Sequence, residues 1–136
     1  MTETILVIPC SGIGKAFGTI SREATYTVVE DLKKGETETL CLSLLVMGDE
    51  ETRNLVKTHK CIAVDGCPAE CSRKNIELSG GKLAAAFRVV DLLRQHRDLK
   101  TQNVTFLDEN GKKLAGIMAQ KSASKVDELK QGGATQ

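Results

Sequence analysis

Behind a polar start, Met1-Thr2-Glu3-Thr4, the chain carries an unbroken apolar run, Ile5-Leu6-Val7-Ile8, that Pro9 stops. A run apolar at every position suits a strand covered on both faces, as in a parallel sheet. That strand is expected to end at Cys10. From Gly14 onward Phe17, Ile20, Ala24, Val28 and Leu32 recur three or four apart, and Lys33-Lys34-Gly35 follow. This spacing predicts an amphipathic helix with a cationic, glycine-terminated end. The unit then repeats: Thr37 to Leu42 reads as a strand, Asp49 to Lys57 as a helix with an acidic first turn, and Ile62-Ala63-Val64 as a third strand closed by Asp65-Gly66. Pro68 suits a first helical position, where its missing N–H costs nothing, so a helix is predicted to run on to Leu78 before Gly80-Gly81. Phe87 to Leu92 is predicted as a fourth strand. In the last third, Asn110-Gly111 between Val104-Thr105-Phe106-Leu107 and Leu114-Ala115-Gly116-Ile117-Met118 can close a hairpin. The preferred alternative is a helix capped by Asp108 and bearing Leu114, Ile117 and Met118.

Alternating strands and helices predict a three-layer α/β domain, a small and mainly parallel sheet covered by helices. Residues 1–130 are expected to form one domain, with 131–136 a frayed tail. Aromatic residues make up only 3% of the chain, so the core must be built from Val, Leu, Ile and Ala around Phe17, Phe87 and Phe106. Nineteen basic and eighteen acidic residues are interspersed. They create no broad field for a polyanion or an anionic membrane, which argues against both as partners. No apolar stretch is long enough for a signal peptide or a bilayer span. The expected compartment is therefore the cytoplasm, where thiols stay reduced and the five cysteines are read as ligands or reactive groups rather than disulfides.

In parallel sheets covered by helices, sites form beyond the carboxyl ends of the strands. Cys10, Cys41 and Cys67 fall at three such ends, and a parallel sheet brings them to one edge. In Cys67-Pro68-Ala69-Glu70-Cys71 a helical spacing adds Cys71, at about 5–6 Å between Cβ atoms. Taken singly, each cysteine fits a small buried hydrophobe as well as a ligand, and it is the joint placement that favours a site. Zinc accepts four thiolates tetrahedrally at roughly 2.3 Å, and helix N-termini after Cys10 and Cys67 would stabilise the negative charge. Cys61 lies on an extended segment roughly 15–20 Å from Cys67, so it is expected to be a buried core thiol.

Other signals are weaker. Gly12-Ile13-Gly14-Lys15-Ala16 follows a strand, but Pro9 stands where a phosphate loop starts with glycine, and Ala16 where it needs Ser or Thr. Phe17 likewise occupies the last glycine of a dinucleotide fingerprint. Gly12 and Gly14 are read as allowing a tight turn, Lys15 as a counter-charge and Ser11 as a helix cap. His59 and His96 sit in polar contexts and are read as solvated surface residues. Asp65 is expected to cap the turn through backbone N–H groups, and Gly66 to turn the chain through positive φ.

Ile8-Pro9-Cys10-Ser11-Gly12-Ile13-Gly14, Leu40-Cys41-Leu42 and Ile62-Ala63-Val64-Asp65-Gly66-Cys67-Pro68, followed by Cys71, together resemble the DGC-domain family, named for its Asp-Gly-Cys motif. The resemblance implies a zinc-binding protein whose ligands are Cys10, Cys41, Cys67 and Cys71, with Cys61 outside the set. Zinc held structurally or for delivery to a client protein is the first expectation. A thiol redox enzyme using Cys67 and Cys71, or an iron–sulfur cluster on the four cysteines, are the alternatives.

Overall fold

The computed structural model describes residues 4–10, 16–66, 69–99 and 108–134. Strand β1 spans Ile5–Pro9, and every residue in it is buried. Helix α1 covers Ala16–Thr27 and widens into a π-helical turn over Val28–Leu32. There follow β2 (Thr37–Glu38), α2 (Leu42–Val46), α3 (Glu50–Thr58), β3 (Lys60–Asp65), α4 (Cys71–Leu78), β4 (Lys82–Arg88), α5 (Val89–Gln95) and α6 (Glu109–Ala134). The four strands form one all-parallel sheet in the order β2-β1-β3-β4.

Side chains alternate between the faces of a strand, and both faces here are covered. Ile5, Val7, Ile62 and Val64 pack with Ile20 and Ala24 of α1, Val89 and Leu92 of α5, and Leu114 and Met118 of α6. Leu6, Ile8, Cys61 and Ala63 face the other way, onto Leu42, Leu45, Val56 and Ile76 of α2, α3 and α4. The three-layer α/β expectation is therefore met, and the double covering explains why β1 is apolar at every position. Each large aliphatic side chain buried this way contributes about 1.5–3 kcal/mol.

Several boundaries differ from expectation. β2 stops at Glu38, four residues short of Leu42, so Cys41 ends no strand and instead caps α2. The fourth strand is Lys82–Arg88, and Val89 to Gln95 is helical. A short apolar run has no period of its own to separate the two states, and here Val89 and Leu92, one turn apart, face the core from a helix. α4 begins at Cys71 rather than Pro68, because Glu70 before it adopts the left-handed conformation, φ 52° and ψ 49°. The C-terminal helix displaces the hairpin: Asp108 Oδ1 accepts the Gly111 N–H at 2.7 Å, and α6 runs to Ala134, into the stretch expected to fray. Val104–Leu107 lies outside the described residues. No helix among the described residues is long and apolar enough to cross a membrane.

β1 and β3 are adjacent, yet the chain leaves β1 for α1 on one face and β3 for α4 on the other. Diverging connections at neighbouring carboxyl ends open a crevice, the usual ligand position in such sheets. Cys10, Asp65 and Gly66 stand at that point.

Candidate functional site

Cys10 prolongs β1 by one residue. Its N–H donates to the Val64 carbonyl at 3.1 Å, so strand pairing fixes its backbone. Its sulfur accepts the Gly66 N–H at 3.1 Å and lies 3.4 Å from Ser21 Oγ. Ser21 directs its own proton to the Gly18 carbonyl at 2.8 Å, which leaves its oxygen to accept from the thiol. Cys10 is thus buried between two elements, held by β3 and α1.

Gly66 serves this contact by size. It is not among the described residues' positive-φ glycines, Gly35, Gly48 and Gly80. A Cβ on Gly66 would lie 2.7 Å from the Phe17 carbonyl carbon and 2.8 Å from Gly18 N. The expected left-handed turn is therefore replaced by a close backbone approach between the end of β3 and the start of α1.

Asp65 is buried, and its two carboxylate oxygens accept the N–H groups of Ser72 at 2.7 Å and Arg73 at 3.1 Å. It caps the first turn of α4 from the neighbouring strand. Burial pushes its carboxyl above the usual range, and the two N–H groups partly offset this. Ser72 Oγ donates to the Ile8 carbonyl at 2.7 Å, which ties the start of α4 to β1 as well. Glu70 bridges Arg73 and Arg88. Cys71, the first residue of α4, is exposed. The expected i, i+4 pairing of Cys67 and Cys71 within one helix does not hold, since the helix begins at the second of them. Cys67 and Pro68 lie outside the described residues, as do Ser11, Gly12, Gly14 and Lys15.

Cys41 is exposed at the N-terminus of α2. The N–H groups of Leu44 and Ser43 hold its thiol below the ordinary value. Cys10 and Cys41 both wall a cavity of about 360 Å³, together with Arg22, Tyr26, Thr39 and Leu42. α2 also packs against α4, which places the helix starts bearing Cys41 and Cys71 on the same layer. Arg22, Tyr26 and Thr39 escaped the sequence reading. Arg22 and Tyr26 sit four apart on one side of α1, a pair visible beside the apolar stripe, but Thr39 was placed inside a strand that in fact ends at Glu38.

Cys61 is fully buried in the core below the sheet, as expected. Desolvation pushes its thiol up to about 11, and the thiol donates to the His59 and Val56 carbonyls at 3.4 and 3.7 Å. His59 is half-buried rather than solvated, with Nδ1 3.0 Å from the Leu55 carbonyl at the end of α3. His96, also half-buried, ends α5.

Among the described residues no three His, Cys, Asp or Glu side chains meet in a group that could hold a metal ion. The cavity unites two of the three described candidate thiols, Cys10 and Cys41, and a tetrahedral thiolate site needs two further donors.

No curated protein and no solved structure matches the chain. The family model of the DGC domain matches residues 6–115, from β1 into the first turns of α6. That span holds all five cysteines, the Asp65-Gly66-Cys67 motif of the sequence and the crevice between β1 and β3, so the chain belongs to the DGC-domain family.

Proposed function

We propose that this protein binds a metal ion, zinc, through the thiolates of Cys10, Cys41, Cys67 and Cys71, in a structural or metal-delivery role. The observation that supports this reading best is the shared cavity of Cys10 and Cys41, two cysteines remote in sequence that stand at the end of β1 and the start of α2. Backbone N–H groups face both sulfurs. The Gly66 N–H donates to Cys10, and the first amides of α2 ease proton loss from Cys41; thiols must lose their protons to bind metal. Zinc, when bound, would cross-link the ends of β1 and β3 to the starts of α2 and α4.

Elemental analysis and the visible spectrum of protein purified without oxygen test the reading. About one zinc per chain is expected from a colourless protein, and serine at position 10, 41, 67 or 71 should sharply lower metal retention. Wild-type stoichiometry in all four variants rejects the site. Brown protein containing iron would replace zinc by an iron–sulfur cluster on the same cysteines. A metal-free protein with a reversible disulfide between Cys67 and Cys71 would favour the thiol redox alternative, for which Cys71 stands at the start of α4.

A further inference from the structure

We propose that Arg88, acting through Glu70, is a positioning residue for Cys71; the inference rests on the reading of Cys71 as a zinc ligand. Glu70 is the one non-glycine residue with positive φ among the described residues, at φ 52° and ψ 49°. A Cβ disfavours that left-handed conformation, which glycine adopts freely and asparagine more readily than most. Glu70 is neither, so its surroundings must hold it there. It stands immediately before Cys71, and its backbone sets the direction in which the chain enters α4. Although Glu70 is the N-cap residue, its side chain bonds no amide of the helix. Asp65 serves that end instead.

What holds Glu70 comes from the end of β4. Arg88, the last residue of that strand, stands opposite Asp65 of β3 in the sheet. Its guanidinium is fixed by Asp91, which accepts from Nε at 2.9 Å and from Nη2 at 2.7 Å. The remaining Nη1 donates to Glu70 Oε1 at 3.3 Å, while Glu70 Oε2 accepts from Arg73 Nε. Both carboxylate oxygens are thus engaged, on a side chain only 18% exposed. Three strands therefore reach the segment from Glu70 to Arg73. β1 takes the Ser72 hydroxyl and β3 the amides of Ser72 and Arg73, all on the helical side of Cys71. Arg88 alone reaches from the sheet to the residue on the other side. Ion pairs near the surface stabilise a fold little, so this pair is better suited to fixing where Cys71 sits than to keeping the domain folded.

Zinc affinity of the full chain is measured by competition with a chromophoric chelator, with thermal unfolding followed on the same samples. Arg88→Gln and Glu70→Gln should each weaken zinc roughly tenfold, the lower end of what the outer partners of a ligand are worth. One variant removes a cation and the other an anion, so a mere change of field would move the two affinities in opposite directions. A shared loss marks position. The double variant should bind no more weakly than Glu70→Gln, because both substitutions remove the same pair. Glu70→Gly relieves the left-handed strain and should melt close to wild type, yet bind zinc as weakly as Glu70→Gln. Undiminished affinity in Arg88→Gln, opposite shifts in the two single variants or additive losses in the double one overturn the proposal and leave the zinc reading intact. If Arg88→Gln does not fold, Glu70→Gly binding zinc like wild type does the same. Wild-type protein that holds no zinc ends the zinc reading and this inference with it.

Discussion

Replacing Gly66 by alanine adds one carbon at a point where two backbones already touch. The new Cβ would stand 2.7 Å from the Phe17 carbonyl carbon and 2.8 Å from Phe17 O and Gly18 N, whereas ordinary contact begins at 3.4 Å. The start of α1 must therefore withdraw by about 0.7 Å. No rotamer change can relieve the clash, since all three atoms are main chain. α1 cannot retreat freely, because it is packed against α6, with Ile20 and Ala24 wholly buried. Overpacking costs about 1–3 kcal/mol and occasionally more, and a clash with backbone on both sides belongs at the upper end, about 3 kcal/mol. For a chain of this size that lowers Tm by about 10 °C. Thermal unfolding followed by circular dichroism measures it, and zinc retention should fall as well, because the Gly66 N–H that holds Cys10 moves with the strand end. Gly116→Ala is the control: its Cβ meets nothing within 4 Å, and it sits inside α6, so it should stabilise by about 0.5–1 kcal/mol. A Gly66→Ala protein melting within about 2 °C of wild type would refute the close-approach account.

Three further outcomes are expected. Cys61 holds its proton up to about 11 in the fold against 9.0 for a free thiol. As pH rises the unfolded chain ionises first, so stability is full below pH 9, declines between pH 9 and 11 and loses up to about 3 kcal/mol. Urea titrations across that window should show the decline flattened in Cys61→Ala, which costs about 1 kcal/mol at neutral pH and keeps its metal; an equal decline in the variant assigns it to other groups. Asp65→Ala strands the N–H groups of Ser72 and Arg73 and should cost about 2–3 kcal/mol, with Asn recovering part through its one remaining acceptor; an Asn variant no better than Ala would show that the capping oxygens are not what stabilises. In metal-free protein Cys41, exposed and with its thiol held low, should react with iodoacetamide ahead of Cys10 and Cys61, as peptide mapping would show, and prior labelling of Cys10 would contradict the placement.

What the sequence made legible follows from where periodicity is strong. The apolar run Ile5–Ile8, the three-four stripe of α1 and the buried Ile62–Val64 all became the elements they predicted, and with them the carboxyl edge that carries Cys10. The errors fall where local signals are ambiguous or where tertiary contacts decide. Val89-Val90 reads as strand by composition and is helical because Val89 and Leu92 share a helix face toward the core. Nothing local announces that Thr39 and Cys41 have left the sheet. Gly66 was legible as a required glycine but not for its reason, because the partner backbone, Phe17-Gly18, is remote in sequence. Asp65 was legible as a cap, while the amides it caps belong to Ser72 and Arg73 on the helix beyond the turn.

The two-residue length of β2 gives the two sides of the cavity unequal stiffness. Cys10 extends a central strand bonded on both sides, so its amide should exchange with solvent only as slowly as the domain unfolds. Cys41 lies three residues beyond an edge strand paired through Thr37 and Glu38 alone, and its position is held instead by α2, whose Leu42 and Leu45 are buried in the lower core. The Cys10 wall of the cavity thus depends on the central ladder, and the Cys41 wall on the packing of a five-residue helix. For a metal ion passed to another protein, as proposed above, release from Cys41 would follow the local opening of α2, whereas release from Cys10 would require the central strands to part.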